Sequence, residues 1–325
     1  MSEGDANQRL LKTIAQGTDA PGSQPVSVSR APAADLSPWI GRIHATMAQV
    51  DGAQTISCGI LADTSVLRIL LKGEWQAETS SGPAFYSRTA IFFGPHSRRL
   101  PCRVKGDFAT VALSLAPGTC HALGLHDVAG LTDRLSPFEE LGFDSSELMA
   151  LFRDGATRAE WMDVLENYMR ALVQQRGMME PDQITRRFDE IAFANPNIKV
   201  KDFAKANGIE PKRLERVIKR DFGLPPKQVL RRARALDMAA HLKGVADASE
   251  AAELALRYFD QSHLNRDFVD LFGMTPTQFV RTPQPLMTLT LEHRQARRLE
   301  VLKRVEPDAI MPWQEPPERV SRTES

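Results

Sequence analysis

The sequence is short of cysteine, of long apolar runs and of net charge, and each shortage excludes something. Lysine and arginine total 41 and aspartate and glutamate also total 41 in 325 residues, so the chain as a whole has no field that would draw in a polyanion. Its three cysteines, Cys58, Cys102 and Cys120, are odd in number and lack a CxxC spacing. That speaks against a disulfide framework or a zinc site and for small buried side chains in a reducing compartment. No stretch approaches the length of a membrane span. Residues 1–34 are rich in Ser, Gly, Pro, Ala and Gln without the apolar core of a signal peptide, and are expected to form a disordered arm. The motifs GxSxG, GxxxxGK, HExxH and a GxGxxG after a strand are all missing, so no catalytic residue, cofactor or metal ligand is assigned.

What is present divides in two. From about Leu36 to Leu115 the apolar residues fall in short runs, TISCGILA, SVLRILLKG, AIFFGP, RLPCRV and FATVALSLAPG, rich in β-branched and aromatic residues. Gly73, Gly82-Pro83, Gly94-Pro95 and Gly106-Asp107 punctuate them as turns, which predicts a small β-sandwich or barrel. After Pro117 the spacing turns helical. Trp161, Val164, Leu165, Tyr168 and Leu172 recur at three and four residues, giving one apolar face that packs either on the β-domain or on a second copy of the chain.

The strongest signal is a repeat. LERVIKRDFGLPPKQVL from Leu214 and LNRDFVDLFGMTPTQFV from Leu264 align without a gap, so one supersecondary unit is built twice. In the first copy VKDFAKANGI is a helix ended at Gly208, and Pro211 suits the first position of the next. Along that second helix Leu214, Val217 and Ile218 point inward, while Lys212, Arg213, Glu215, Arg216, Lys219 and Arg220 point out. Helix, glycine turn, helix is the plan by which a second helix enters the major groove of DNA. Arg216 has the fork to bind guanine, Glu215 can accept from cytosine, and Lys219 and Arg220 lie where phosphate is the partner. In the second copy, behind Asp260 as N-cap, Gln261, Ser262, Asn265 and Arg266 point out. Thr275 is expected to cap the short helix opened by Pro276.

Charge separates the copies. Lys199 to Lys243 holds thirteen basic residues against five acidic ones, whereas Gly244 to Pro285 holds six acids and three bases. The first unit is therefore expected to supply more of the affinity for phosphate. Between the copies, KQVLRRARALDMAAHLK lacks Gly and Pro and predicts a helix of about 24 Å, a rigid spacer between two readers. A further basic helix, LEHRQARRLEVLKR, is expected to have either a solvated face or a contact with the DNA backbone.

The block from about Asp189 to Arg281 resembles the DNA-binding domain of AraC-type transcriptional regulators, through DQSHLNRDFVDLFGMTPTQFV and its counterpart in the first copy. It departs from the family at Arg257-Tyr258, where glycine is usual. The N-terminal block resembles, more loosely, the cupin-like domains of that family, through Gly94-Pro95-His96 and LSLAPGTCHALGL. His96, His121 and His126 could suggest a cupin metal centre, but only His96 falls in the strand region, so it reads as a loop histidine. The resemblance implies an α+β chain with a disordered arm (1–34), a cupin-like β-barrel or sandwich for sensing or dimerisation (35–130), a helical connector (131–182), an all-α double helix-turn-helix (183–285), and a basic helix with a disordered tail (286–325). It further implies double-stranded DNA as partner and, for an activator, RNA polymerase. A small-molecule effector and a homodimer remain open. The expected location is the cytoplasm, on the nucleoid. Base-facing roles fall on Lys212, Glu215, Arg216, Gln261, Ser262, Asn265 and Arg266. A cupin enzyme with a helical appendage is the alternative the absent motifs disfavour.

Overall fold

The computed structural model describes residues 25–50, 54–79, 82–125, 127–246, 261–306 and 309–314. The strands are β1 (Val26–Arg30), β2 (Ile40–Ala48), β3 (Thr55–Ile60), β4 (Val66–Thr79), β5 (Gly82–Phe93), β6 (Leu100–Leu115) and β7 (Leu135–Pro137). They form one antiparallel sheet in the order β1-β2-β6-β4-β5-β7, with β3 paired to the first half of β6. Two glycines expected to be turns lie within strands. Gly106 (φ +72°) bends β6, so RLPCRV and FATVALSL form a single strand, and Gly73 (φ +98°) sits where β4 shifts register against both neighbours. In both places a bulge bends the sheet instead of ending it. β1 lies inside the stretch read as a disordered arm, where VSVSR pairs with β2 from Val26 to Arg30.

The helices are α1 (Thr119–Ala122), α2 (Ser145–Ala150), α3 (Arg158–Arg176), α4 (Gln183–Ala194), α5 (Val200–Ala206), α6 (Pro211–Phe222), α7 (Pro226–Leu242), α8 (Gln261–Phe272), α9 (Pro276–Arg281) and α10 (Pro285–Val301). A capping box of Thr157 and Glu160 starts α3, and Gly177 ends it in the left-handed conformation. Its stripe of Trp161, Leu165, Tyr168 and Met169 packs on the sheet, which resolves the choice between the β-domain and a second chain.

Strand periodicity sends alternate residues to opposite faces. Ile43, Ala45, Leu67, Ile69, Ala90, Phe92, Val111 and Leu113 meet α3 and its neighbours on one face. Val66, Leu70, Ile91, Phe93, Phe108 and Ala112 share a core with Ala235–Leu242 of α7, the phenylalanines of α8 and α9, and Leu291 of α10 on the other. The sheet is thus the middle layer between the connector helices and the C-terminal domain.

The middle of that second face is polar. Arg42, His44, Thr46, Thr110 and Ser114 alternate with the apolar residues, and α10 covers them. Here α10 departs from both expectations for it. His293, Arg294, Arg297 and Arg298 are buried, and the arginines bind the protein itself. Arg294 pairs with Asp63 at 2.8 Å and Asp237 at 2.5 Å, Arg297 pairs with Asp189, and Arg298 donates to the Phe193 carbonyl at 3.2 Å. Arg42 of β2 reaches Glu300 at 2.7 Å. Such pairs offset the cost of desolvating each ion and tie β2, α4, α7 and α10 into one body.

Candidate nucleic-acid interface

The first repeated unit is built as its residues dictate. Gly208 takes φ +60° after α5, and Pro211 occupies the first turn of α6, where its missing N–H removes a donor that would have no partner. Phe203, Leu214, Ile218 and Phe222 close a small core with Phe188 of α4 and the first half of α7. With that face buried, Lys212, Arg213, Glu215, Arg216 and Lys219 are left exposed along the other side of α6.

Arg220 goes elsewhere. Its Nε and Nη2 donate to Asp221 at 2.6 and 2.8 Å, and the Asp221 side chain is fully buried. Asp221 also accepts from the Thr185 hydroxyl, and its backbone carbonyl accepts from the Gly118 N–H at 3.3 Å. Arg220 therefore neutralises a carboxylate at the joint between α6, α4 and the β-domain, in place of the expected phosphate contact.

The described part of the second unit, α8 and α9, repeats the helix, glycine turn and proline-started helix of the first with a different core. Phe268, Phe272 and Phe279 pack against one another in tilted and edge-on pairs and join the core beneath the sheet. The capping box of Thr275 and Gln278 starts α9 as expected. Ser262, Asn265 and Arg266 are exposed on α8, and the Arg266 Nε donates to the Ser262 carbonyl at 3.3 Å, along its own helix. Gln261 opens α8, but its side chain lies outside the described residues, as do Asp260, Arg257, Tyr258 and His126.

The basic stripe is thinner than its sequence. Of its thirteen cations, Lys199, Lys201, Lys205, Lys212, Arg213, Arg216, Lys219 and Lys227 are exposed. The rest bind protein groups: besides Arg220, Arg231 holds Asp267 and Asp270 of α8, Arg232 and Arg234 donate to backbone carbonyls, and Lys243 reaches Val280 and Thr282. α7 is accordingly no bare strut. Its first half completes the core of the first unit and its second half that of the second.

One loop of the β-domain, residues 94–99, touches all three parts of this assembly. Pro95 lies against Gly223 at the end of α6, the His96 carbonyl accepts from Arg232 of α7 at 2.5 Å, and the Arg99 N–H donates to Leu271 of α8 at 2.6 Å. His96, read from sequence as a loop histidine, is fully buried. Its Nδ1 accepts from the Ala62 N–H at 3.1 Å, and burial pushes its pKa down to about 4. Sequence reasoning also passed over Arg68, His44 and His293. The signal available was an arginine inside the apolar run SVLRILL.

Two compact helical units, each with a glycine-ended second helix showing a polar face to solvent, define a DNA-binding protein of the helix-turn-helix class. Residues 203–282 match the family model described as a helix-turn-helix domain. The match spans the two repeated units, about a quarter of the chain. Among solved structures the chain is similar to ToxT from Vibrio cholerae, with 8% identity over 80% of this chain and 98% of that one and a TM-score of 0.43. The AraC-like transcriptional activator CuxR aligns at 14% identity over 73% and 92% of the two chains, with a TM-score of 0.27. A salicylate 1,2-dioxygenase from Pseudoaminobacter salicylatoxidans aligns at 15% over 37% and 32%, with a TM-score of 0.21. Comparison with curated protein sequences gives no match. No helix among the described residues is long and apolar enough to cross a membrane, and none of their His, Cys, Asp and Glu side chains cluster in threes as a metal site.

Proposed function

We propose that the chain is a cytoplasmic, sequence-specific regulator of transcription whose α6 and α8 read adjacent major-groove segments of one duplex, under the control of the β-domain. Lys212, Arg213, Glu215 and Arg216 read or position from the first unit, with Lys219 on phosphate. Gln261, Ser262, Asn265 and Arg266 do so from the second. The carrying observation is that Lys212, Arg213, Glu215 and Arg216 of α6 and Asn265 and Arg266 of α8 are exposed, while the C-terminal ends of both helices are held by the same loop, residues 94–99. A β-domain that holds both readers by one loop can bias both at once, so a small-molecule effector is the input we favour over dimerisation alone. Promoter activation through RNA polymerase is the output. The domain limits that follow are 35–130 for the control domain, extended in space by β1 and β7, then 131–182 for the connector and 183–285 for the reader.

The test is operator binding by the full chain. Arg216→Ala and Arg266→Ala should each weaken binding by about 1–3 kcal/mol and relax preference at a different base position. If both leave affinity and preference unchanged, these faces do not read DNA.

A further inference from the structure

Between the polar centre of the sheet and α10 lies a cavity of about 40 Å³, which has room for about three waters. Its walls include Arg42, His44, Arg68, His96, His293, Arg294 and Arg297, with Ile60, Leu61, Val66 and Phe93 as the apolar side. Three of the four guanidiniums are neutralised, Arg42 by Glu300, Arg294 by Asp63 and Asp237, and Arg297 by Asp189. Arg68 has no carboxylate partner among the described residues. It sits 5.4 and 5.0 Å from the ring centres of Trp75 and Phe93, its Nε is buried without an acceptor, and burial pushes it down to about 10. A second donor faces the same space. Because Nδ1 of His96 accepts from Ala62, its proton is on Nε2, which is likewise buried and has no acceptor in full hydrogen-bond geometry, although the Ile60 backbone lies close enough to the ring to favour its protonated form.

Two buried N–H donors without acceptors, one of them on an uncompensated cation, are costly by themselves and complementary to one kind of guest. We propose that this cavity binds the carboxylate of a small organic acid, whose two oxygens accept from Arg68 Nε and His96 Nε2 and whose short apolar remainder lies against Ile60, Val66 and Phe93. The one acidic side chain in the lining, Asp63, is already engaged by Arg294, and the His44–His293 pair, with ring centres 4.1 Å apart, is held neutral by burial beside Arg42 and Arg68. The regulatory consequence rests on the control reading above. A guest on His96 pulls on the loop that contacts α6, α7 and α8, and a guest too long for the cavity pushes α10 from the sheet. The site depends on α10, which lies beyond the matched helix-turn-helix residues.

The test is a titration of the full chain, without DNA, with sodium acetate, propionate and benzoate against sodium chloride and sodium sulfate at matched ionic strength, read by calorimetry and melting temperature. Saturable binding and stabilisation by a carboxylate above the chloride control are expected. Arg68→Met and His96→Gln should each weaken that binding about tenfold or more. Arg68→Met should also melt no lower than wild type without ligand, because it removes a half-buried charge that has no carboxylate partner among the described residues; a purely structural arginine would melt lower. A wild-type chain that responds only to sulfate, or no more to carboxylates than to chloride, overturns the proposal, and so does an Arg68→Met chain that binds as wild type. Since DNA is absent, failure of operator binding would sink the reading of α6 and α8 and leave this result intact.

Discussion

Gly223 and Gly273 occupy the same place in the two units, end their helices at φ +72° and +71°, and differ only in what surrounds them. A Cβ on Gly273 would meet nothing within 4 Å, whereas one on Gly223 would meet Pro95 Cγ at 2.8 Å, Thr132 Oγ1 at 3.0 Å and the Val128 carbonyl at 3.1 Å. Alanine at either position bears the left-handed penalty of roughly 1–2 kcal/mol. Gly223→Ala must in addition push back the β-domain, one of the opposing atoms being backbone. Overpacking of this kind costs about 1–3 kcal/mol. Equilibrium urea denaturation of the two full-length variants should therefore place Gly273→Ala about 1–2 kcal/mol below wild type and Gly223→Ala about 2–5 kcal/mol below, and the difference measures the contact of α6 with Pro95, Val128 and Thr132. Equal losses would refute the placement of those three residues against the first unit.

Other outcomes follow from the same contacts. Arg294→Met leaves Asp63 and Asp237 without their shared cation and should cost about 3–5 kcal/mol in the same assay, more than Asp237→Asn, which leaves Arg294 paired with Asp63. Alanine at exposed Lys212 or Lys219 should lower the slope of log affinity against log salt by about 0.9 each, while Arg220→Ala, whose charge serves Asp221, should change stability more than the slope. His293 and His96 are pushed down to about 3 and 4, and His44 well below its ordinary value, all chiefly by burial. The unfolded chain therefore binds protons below about pH 6.5 that the folded chain refuses, and stability falls as pH drops from 6.5 towards 4. Glu292, pushed by burial up to about 7, works the other way, since its folded form holds a proton the unfolded form has lost. Three histidines outweigh one glutamate, so melting temperature should drop between pH 7 and pH 5, and a flat or rising profile would contradict the burial of the histidines.

The helices of the two repeated units were legible because every signal for them is local. Pro211, Gly208, Gly223, Thr275 and Pro276 act within one turn of their own position, and the repeat shows each of the paired features twice. The strands were legible as runs but not as an architecture. Gly106 carries the same chemistry in a turn and in a bulge, and only the pairing of β4 along both halves of β6 distinguishes them. The fate of α10 was hidden for a different reason. A row of arginines reads as solvated unless their acceptors are known, and Asp63, Asp189 and Asp237 lie between 57 and 231 positions away from Arg294 and Arg297. Arg42, His44 and Thr46 gave no warning either, since their alternation with Ile43 and Ala45 is that of a strand with one wet face. Of the stripe on α5 to α7, sequence counted the cations correctly and could not show that five of the thirteen are spent inside.

The reach of α10 back to β2 and β3 also sets an order of events during synthesis. A ribosome delivers Arg42 and Arg68 more than two hundred residues before the helix that shelters them, so the sheet must wait, half wetted, until α10 has emerged. A fragment cut after the second reading unit would leave that surface permanently open, and the damage would surface in the amino-terminal half, far from the cut.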